Sequence, residues 1–223
     1  LKYVIDYDPA LPALGAAFDV YAPTTYADVK PALFGKASSA FDFSATGSLQ
    51  TGPSLKLWTN ALSVPPMFPP EVDDDGSVNN TVMDISRTHL KGLGLLPATD
   101  GAAGADGTLK FGSALFDFDP SDGITAGTYD FVGIAMHEMA HSMGFISGVD
   151  TMSTLLPPFP GLPGGPRDAT PMVTVLDLFR YSSDSVMVGP FVPDLSLPVP
   201  GFSPTRFFSI DGGVTPMGLF STG

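Results

Sequence analysis

Three side chains with the potential for metal chemistry lie within five residues of one another, at His137, Glu138 and His141. In an α-helix the two histidines lie about one turn apart on one face. Two imidazole nitrogens at that separation can bind a single tetrahedral Zn²⁺ at about 2.0–2.1 Å. Glu138 follows at about 100° around the helix, a position from which its carboxylate can reach a water on the metal. The pattern is typical of metal-assisted hydrolysis, with Glu138 as general base.

The pattern is specific because its residue types are rare in this chain, which holds three His and two Glu. With those numbers, H-E-x-x-H arises by chance in roughly 4 of 10,000 such chains. The competing interpretation is a pair of hydrogen-bonded core histidines. That interpretation must also explain a buried glutamate with no basic partner in its own helix.

The motif requires a helix, and its flanking residues predict one. Four apolar residues recur at intervals of 4, 3 and 4, the spacing of one helix face: Val132, Met136, Met139 and Met143. Asp130 suits the start of this helix and Gly144 its end. Residues 131–145 are apolar apart from the motif and Ser142. The sequence therefore predicts a buried helix whose apolar stripe faces the core.

The rest of the chain predicts an α+β fold. Strands are predicted at residues 1–7, 55–62, 108–118 and 206–210, and helices at residues 26–34 and 79–96. Residues 155–171 are rich in Pro and Gly and predict a surface loop. A chain of 223 residues is expected to form one domain, residues 1–223. Because it opens within a predicted strand, truncation at its start is an open expectation.

The amino-acid composition argues against several classes of binding partner. The formal net charge is -13, so nucleic acid and anionic membrane surfaces are disfavoured. No apolar run approaches the roughly 20 residues of a membrane span. With no cysteine, the chain has no disulfide, no thiolate zinc site and no thiol nucleophile.

The sequence around the motif resembles zinc metallopeptidases of the zincin group. HEMAHSMGF is similar to the H-E-x-x-H-x-x-G-F signature of leishmanolysin-like enzymes. The longer YDFVGIAMHEMAHSMGFISGVD, with LDLFRYS and FFSIDGG downstream, resembles a family of predicted secreted bacterial metalloproteases that often carry PEP-CTERM tails. The resemblance extends from about Tyr26 to the last residue.

This resemblance implies a zincin-like fold: a mixed sheet, a backing helix, an active-site helix and a loop-rich C-terminal part. It implies that His137 and His141 are zinc ligands, that Glu138 is the general base, and that the protein is secreted. The expected substrate is a protein or peptide, which could pair in extended form with the edge of the strand at residues 108–118.

Zincins need a third protein ligand, and no histidine follows His141. The metzincin position is Ser147, a poor zinc ligand, whereas Asp150 offers a carboxylate. Later carboxylates, Asp177 or Asp211, are further alternatives. In the resembled families the third His lies downstream, so a histidine beyond residue 223 is also expected, with truncation at that end.

Three acidic turns, at residues 71–80, 100–107 and 117–123, suggest calcium as a second metal. In the first, Glu71, Asp73, Asp75 and Gly76 match positions 1, 3, 5 and 6 of an EF-hand loop, but Val82 stands where a bidentate Glu is needed. Solvated turns are the alternative. His89 is interpreted as a half-buried helix histidine, with a distant zinc ligand or transition-state donor as the alternative.

The sequence thus predicts a zinc-dependent endopeptidase. One alternative is a non-catalytic extracellular surface or matrix protein that keeps a zincin fold. Another is a zinc hydrolase that does not cleave peptides.

Overall fold

The computed structural model describes residues 1–61, 69–102, 104–149, 167–199 and 201–220. The chain divides into two compact units. The first comprises Leu1–Ala22 and Ser86–Phe145, and the second comprises Pro23–Ile85 and Ile146–Gly223. A single domain over residues 1–223 stays a prediction.

Short strands and helices alternate along the described residues. The strands are β1 (Tyr3–Tyr7), β2 (Gly15–Asp19), β3 (Tyr21–Thr25), β4 (Leu57–Asn60), β5 (Pro70–Asp73), β6 (Val82–Ser86), β7 (Gly107–Phe111), β8 (Phe116–Asp117), β9 (Tyr129–Asp130), β10 (Arg180–Ser182), β11 (Arg206–Phe208) and β12 (Gly218–Leu219). The helices are α1 (Tyr26–Lys36), α2 (Ala40–Gly47), α3 (Val78–Thr81), α4 (Arg87–Leu93), α5 (Phe131–Ser142) and α6 (Ser183–Val188). The predicted α+β class is confirmed.

The first unit holds a mixed sheet with the strand order β1, β7, β2. The central strand β7 runs parallel to β1 and antiparallel to β2. It ends before Gly112, where a β-carbon would lie 2.4 Å from the carbonyl oxygen of Ala13. The strand predicted at residues 108–118 forms as β7 and β8. Because β1 and β2 occupy both edges of β7, a peptide cannot pair with this part of the predicted strand.

Helix α5 packs against β2 and forms over the residues that the sequence predicts. Its buried residues are Glu138 and Ser142. The predicted apolar stripe is instead exposed, at 42% for Val132, 65% for Met136, 46% for Met139 and 57% for Met143. This burial prediction is wrong because α5 is apolar on several faces, so local spacing does not show which face the sheet covers.

The predicted helix over residues 79–96 is wrong in its middle, where the chain forms strand β6 between α3 and α4. β6 pairs with β3 and buries Met83 and Ile85. Val82 and Ile85 are β-branched and favour strands, and pairing with a distant strand outweighs the local helical spacing. The predicted end at Gly94 is correct: this residue has φ 80° and caps α4.

The second unit has its own core. Its largest fully buried side chains are Tyr26, Leu55, Leu57, Met83, Ile85, Met172, Leu178, Tyr181 and Leu195. This core also contains charged groups: Arg180 and Arg206 lie 3.7 Å and 3.6 Å from the buried Asp194 carboxylate.

A buried carboxylate ties two segments of the second unit together. Asp177 is fully buried, and its Oδ1 accepts a hydrogen bond from Ser147 Oγ at 2.5 Å. Its Oδ2 accepts from Gly148 N at 2.8 Å and from Thr174 N and Oγ1 at 2.8 and 2.9 Å. Burial raises the pKa of Asp177, and these four donors oppose that shift.

The remaining predictions for local structure have mixed outcomes. β1, α1, β4 and β11 form within or near the predicted segments. Thr25 caps α1 by accepting from the amide of Asp28. Most of the predicted loop at residues 155–171 lies outside the described residues. None of the helices in the described ranges has the length and apolar character that a bilayer crossing needs.

Candidate metal centre

The two histidines of α5 point at each other. Their Nε2 atoms lie 3.0 Å apart, the distance of a hydrogen bond between the two rings, which His137 Nε2–H can donate to His141 Nε2. The ring centroids are 4.5 Å apart with the planes at 85°. His137 is exposed and His141 is half-buried, so the pair faces solvent at the surface of the first unit.

This geometry fits a shared zinc ion. Two nitrogens bound to one tetrahedral Zn²⁺ are about 3.3 Å apart, given Zn–N distances of about 2.0–2.1 Å. The observed separation of 3.0 Å differs from that value by a few tenths of an ångström.

A main-chain carbonyl selects the tautomer of His141. The Nδ1 atom of His141 lies 2.9 Å from the Phe145 carbonyl oxygen. A carbonyl only accepts, so Nδ1 carries the hydrogen, and Nε2 of the neutral ring keeps its lone pair for a metal. Metal-binding histidines commonly donate their other ring nitrogen to a carbonyl or carboxylate in this way.

The turn after α5 brings that carbonyl into place. Gly144 has φ 99°, a conformation that favours glycine, and its amide donates to His141 O at 2.9 Å. The Phe145 amide donates to Ala140 O, also at 2.9 Å. A β-carbon at Gly144 would lie 2.3 Å from Nδ1 of His89, so the two residues are in close contact.

His89 is therefore a packing partner of the turn. It is half-buried on α4 as predicted, and burial lowers the pKa of its ring, which favours the neutral form. In the described part of the chain, neither ring nitrogen of His89 lies within 4.8 Å of ligand atoms of both His137 and His141. The structure thus gives no support to His89 as the third zinc ligand.

The carboxylate of Glu138 lies on the side of α5 that faces β2. Glu138 is 7% exposed, and its Cγ and Oε1 atoms lie 2.9 Å from where a β-carbon of Gly15 would be. Glycine at position 15 leaves the space that the glutamate occupies. The oxygens of Glu138 are not among the enclosed side-chain atoms that lack a partner in the described part of the chain, so the carboxylate keeps some access to solvent.

Among the described residues, the structure does not place a third histidine or carboxylate beside the histidine pair. No further imidazole or carboxylate among them lies within 4.8 Å of both motif histidines. Asp150 lies outside the described residues. Ser147 donates to Asp177, whose oxygens are occupied as described above, and Asp211 accepts from Ser209 Oγ at 2.6 Å and from Thr215 N at 2.8 Å. The identity of the third ligand stays a prediction.

Asp19 lies at the end of β2 and is not among the site residues that the sequence predicts. Its Oδ1 is buried without a hydrogen-bond partner among the described residues. Burial raises the pKa of Asp19, and the neighbouring Ser142 hydroxyl and His141 ring oppose the shift. Asp19 thus lies close enough to His141 for their charges to interact. Because Asp19 is far from the motif along the chain, no local sequence pattern could indicate that the two lie in the same unit.

In the acidic turns at residues 100–107 and 117–123, aspartate carboxylates have partners within the protein. Asp117 Oδ2 accepts from Thr125 N and Oγ1, each at 2.8 Å. Asp100 forms an ion pair with Arg87 at 3.0 Å. Both turns fit the interpretation as ordinary polar turns.

Comparison of the chain with family models, curated proteins and solved structures gives no match.

Proposed function

We propose that this protein is a zinc-dependent endopeptidase with a zincin-like fold. The observation that carries the proposal is the histidine pair, whose Nε2 atoms lie 3.0 Å apart while the Phe145 carbonyl accepts from His141 Nδ1. Substrates are proteins or peptides. The proposal includes secretion, which rests on the family resemblance alone.

His137 and His141 would hold the metal through Nε2. When bound, zinc supplies Lewis acidity that polarises a peptide carbonyl and makes water a stronger acid. Glu138 takes the proton from the attacking water on its carboxylate and then delivers it to the leaving nitrogen. Burial beside Gly15 limits the positions of that carboxylate and keeps most bulk water away from it.

Metal content and proteolysis together test this function. We expect the purified chain to contain about one zinc per molecule, and casein cleavage to stop with 1,10-phenanthroline and resume when zinc is restored. Tight zinc without cleavage of casein would favour a non-peptide hydrolase. A chain with neither zinc nor cleavage would overturn the proposal and favour the non-catalytic surface protein.

The contact between Gly15 and Glu138 gives a second prediction. Gly15→Ala places a methyl group 2.9 Å from the Glu138 side chain, which must then shift. Because small misplacements of catalytic groups are costly, we expect kcat to fall by about 10-fold or more with zinc content unchanged. The measurement is casein or peptide turnover alongside metal analysis.

The matched control is Gly35→Ala in α1, where an added β-carbon meets no atom within 4 Å. This variant should keep native turnover. Equal turnover in both variants would show that the position of Glu138 against β2 does not matter for catalysis.

A further inference from the structure

A second group of acidic side chains lies in the second unit. Asp73, Asp75 and Asp168 bring one carboxylate oxygen each to within 4.8 Å of the others. Asp73 ends strand β5, and Asp75 follows in a turn completed by Gly76 at φ 76°. Asp168 comes from the 3₁₀ turn Arg167–Ala169, almost a hundred residues later. The cluster therefore joins two distant parts of the chain.

The cluster carries more negative charge than its protein partners neutralise. Arg167 lies 3.3 Å from Asp73, 3.0 Å from Asp168 and 2.9 Å from Glu71. One guanidinium therefore faces these three carboxylates, with Asp75 as a fourth nearby. Hydrogen bonding by Ser77 lowers the pKa of Asp75, so this side chain is ionised at neutral pH.

Asp73 provides a second, independent sign of a missing partner. It is 3% exposed, and its Oδ2 accepts from Asn79 at 2.7 Å besides facing Arg167. Its Oδ1 is buried and has no hydrogen-bond partner among the described residues. A buried carboxylate oxygen without a hydrogen-bond partner is costly unless a donor or a cation completes it.

The ligand chemistry favours calcium over zinc. All three ligands are carboxylates, and hard oxygen ligands suit Ca²⁺. Oxygens bound to one Ca²⁺ are at most about 5 Å apart, twice the Ca–O distance of about 2.3–2.6 Å. One oxygen from each of the three carboxylates lies within 4.8 Å of the other two, which meets this requirement. Asp75 and Asp168 are exposed, so water molecules can reach the ion and bring its coordination to the usual six to eight oxygens.

We infer that Asp73, Asp75 and Asp168 form a Ca²⁺ site that fastens the turn after β5 to the segment at residues 167–169. This site differs from the EF-hand match in the sequence, since Glu71 pairs with Arg167 and Val82 lies in β6. The inference does not depend on the proposed peptidase activity.

Thermal unfolding of the full chain tests the site. We expect 5 mM CaCl₂ to raise the Tm by about 3 °C or more over the value in EGTA, because a cation that binds only the folded state stabilises it. Asp75→Asn and Asp168→Asn change exposed side chains, so both variants should fold, and each should lose most of the calcium-dependent rise.

The matched control is Asp122→Asn, an exposed aspartate in another acidic turn, which should respond to calcium like the native chain. The double variant His137→Ala/His141→Ala should also keep the full response, which separates this site from the zinc centre. An unchanged Tm in the native chain would overturn the inference, as would an equal calcium response in Asp75→Asn, Asp168→Asn and Asp122→Asn.

Discussion

Glu138→Gln is expected to bind zinc like the native chain and to cleave casein about 10²–10⁴-fold more slowly, the usual contribution of a general base. Glutamine has nearly the same shape, so it can occupy the space beside Gly15. It has no carboxylate to accept a proton from water. His137 and His141 are unchanged, and the hydrogen bond from His141 to Phe145 does not involve Glu138. The measurements are zinc content by elemental analysis and initial rates of casein cleavage.

The chain offers a matched control, because Glu71 is its only other glutamate. Glu71→Gln makes the same chemical change at an ion pair with Arg167 and should leave the cleavage rate near the native value. His141→Ala should lose both zinc and activity. If Glu138→Gln cleaved casein as fast as Glu71→Gln, Glu138 would not be the general base.

Asp177→Ala is expected to reduce the free energy of unfolding of the second unit by about 3–5 kcal/mol. The substitution leaves the donors of Ser147, Gly148 and Thr174 without their acceptor inside the protein. Burial of the charged carboxylate offsets part of this loss, since removing Asp177 also removes its desolvation cost. The three donors Ser147 Oγ, Gly148 N and Thr174 N outweigh that relief, because each buried unsatisfied group costs about 1–3 kcal/mol. The Thr174 hydroxyl keeps the Ile146 carbonyl as its acceptor at 2.6 Å.

Urea unfolding followed by the fluorescence of Trp58, the only tryptophan, measures this loss in the same unit. Asp184→Ala is the control, because Asp184 is only half-buried and has a single hydrogen bond, from Ser183 Oγ at 3.2 Å. We expect it to change stability by less than about 1 kcal/mol. A similarly small effect of Asp177→Ala would mean that the loop at residues 146–148 is held by other contacts.

Structural features that are set by residues close together in the sequence were predicted correctly. Features that depend on contacts between distant parts of the chain were often predicted wrongly. The bounds of α5 follow from signals within the helix, so sequence reasoning found them. The buried face of α5 depends on β2, and Glu138 rather than the methionines faces that strand. The segment at residues 82–86 pairs with β3, so its helical spacing was misleading. The acidic cluster needs Asp168, which no local spacing could have joined to Asp73 and Asp75.

The exposed methionines of α5 affect how this protein would respond to oxidants. The chain has no cysteine to react first, so its thioethers are the sulfur atoms open to peroxide. Met136, Met139 and Met143 present theirs to solvent on the helix that carries both histidines. Conversion to sulfoxides would make this face polar while leaving the contacts of α5 with β2 in place. The same surface residues can thus be oxidised close to the histidine pair without unfolding the helix that supports it.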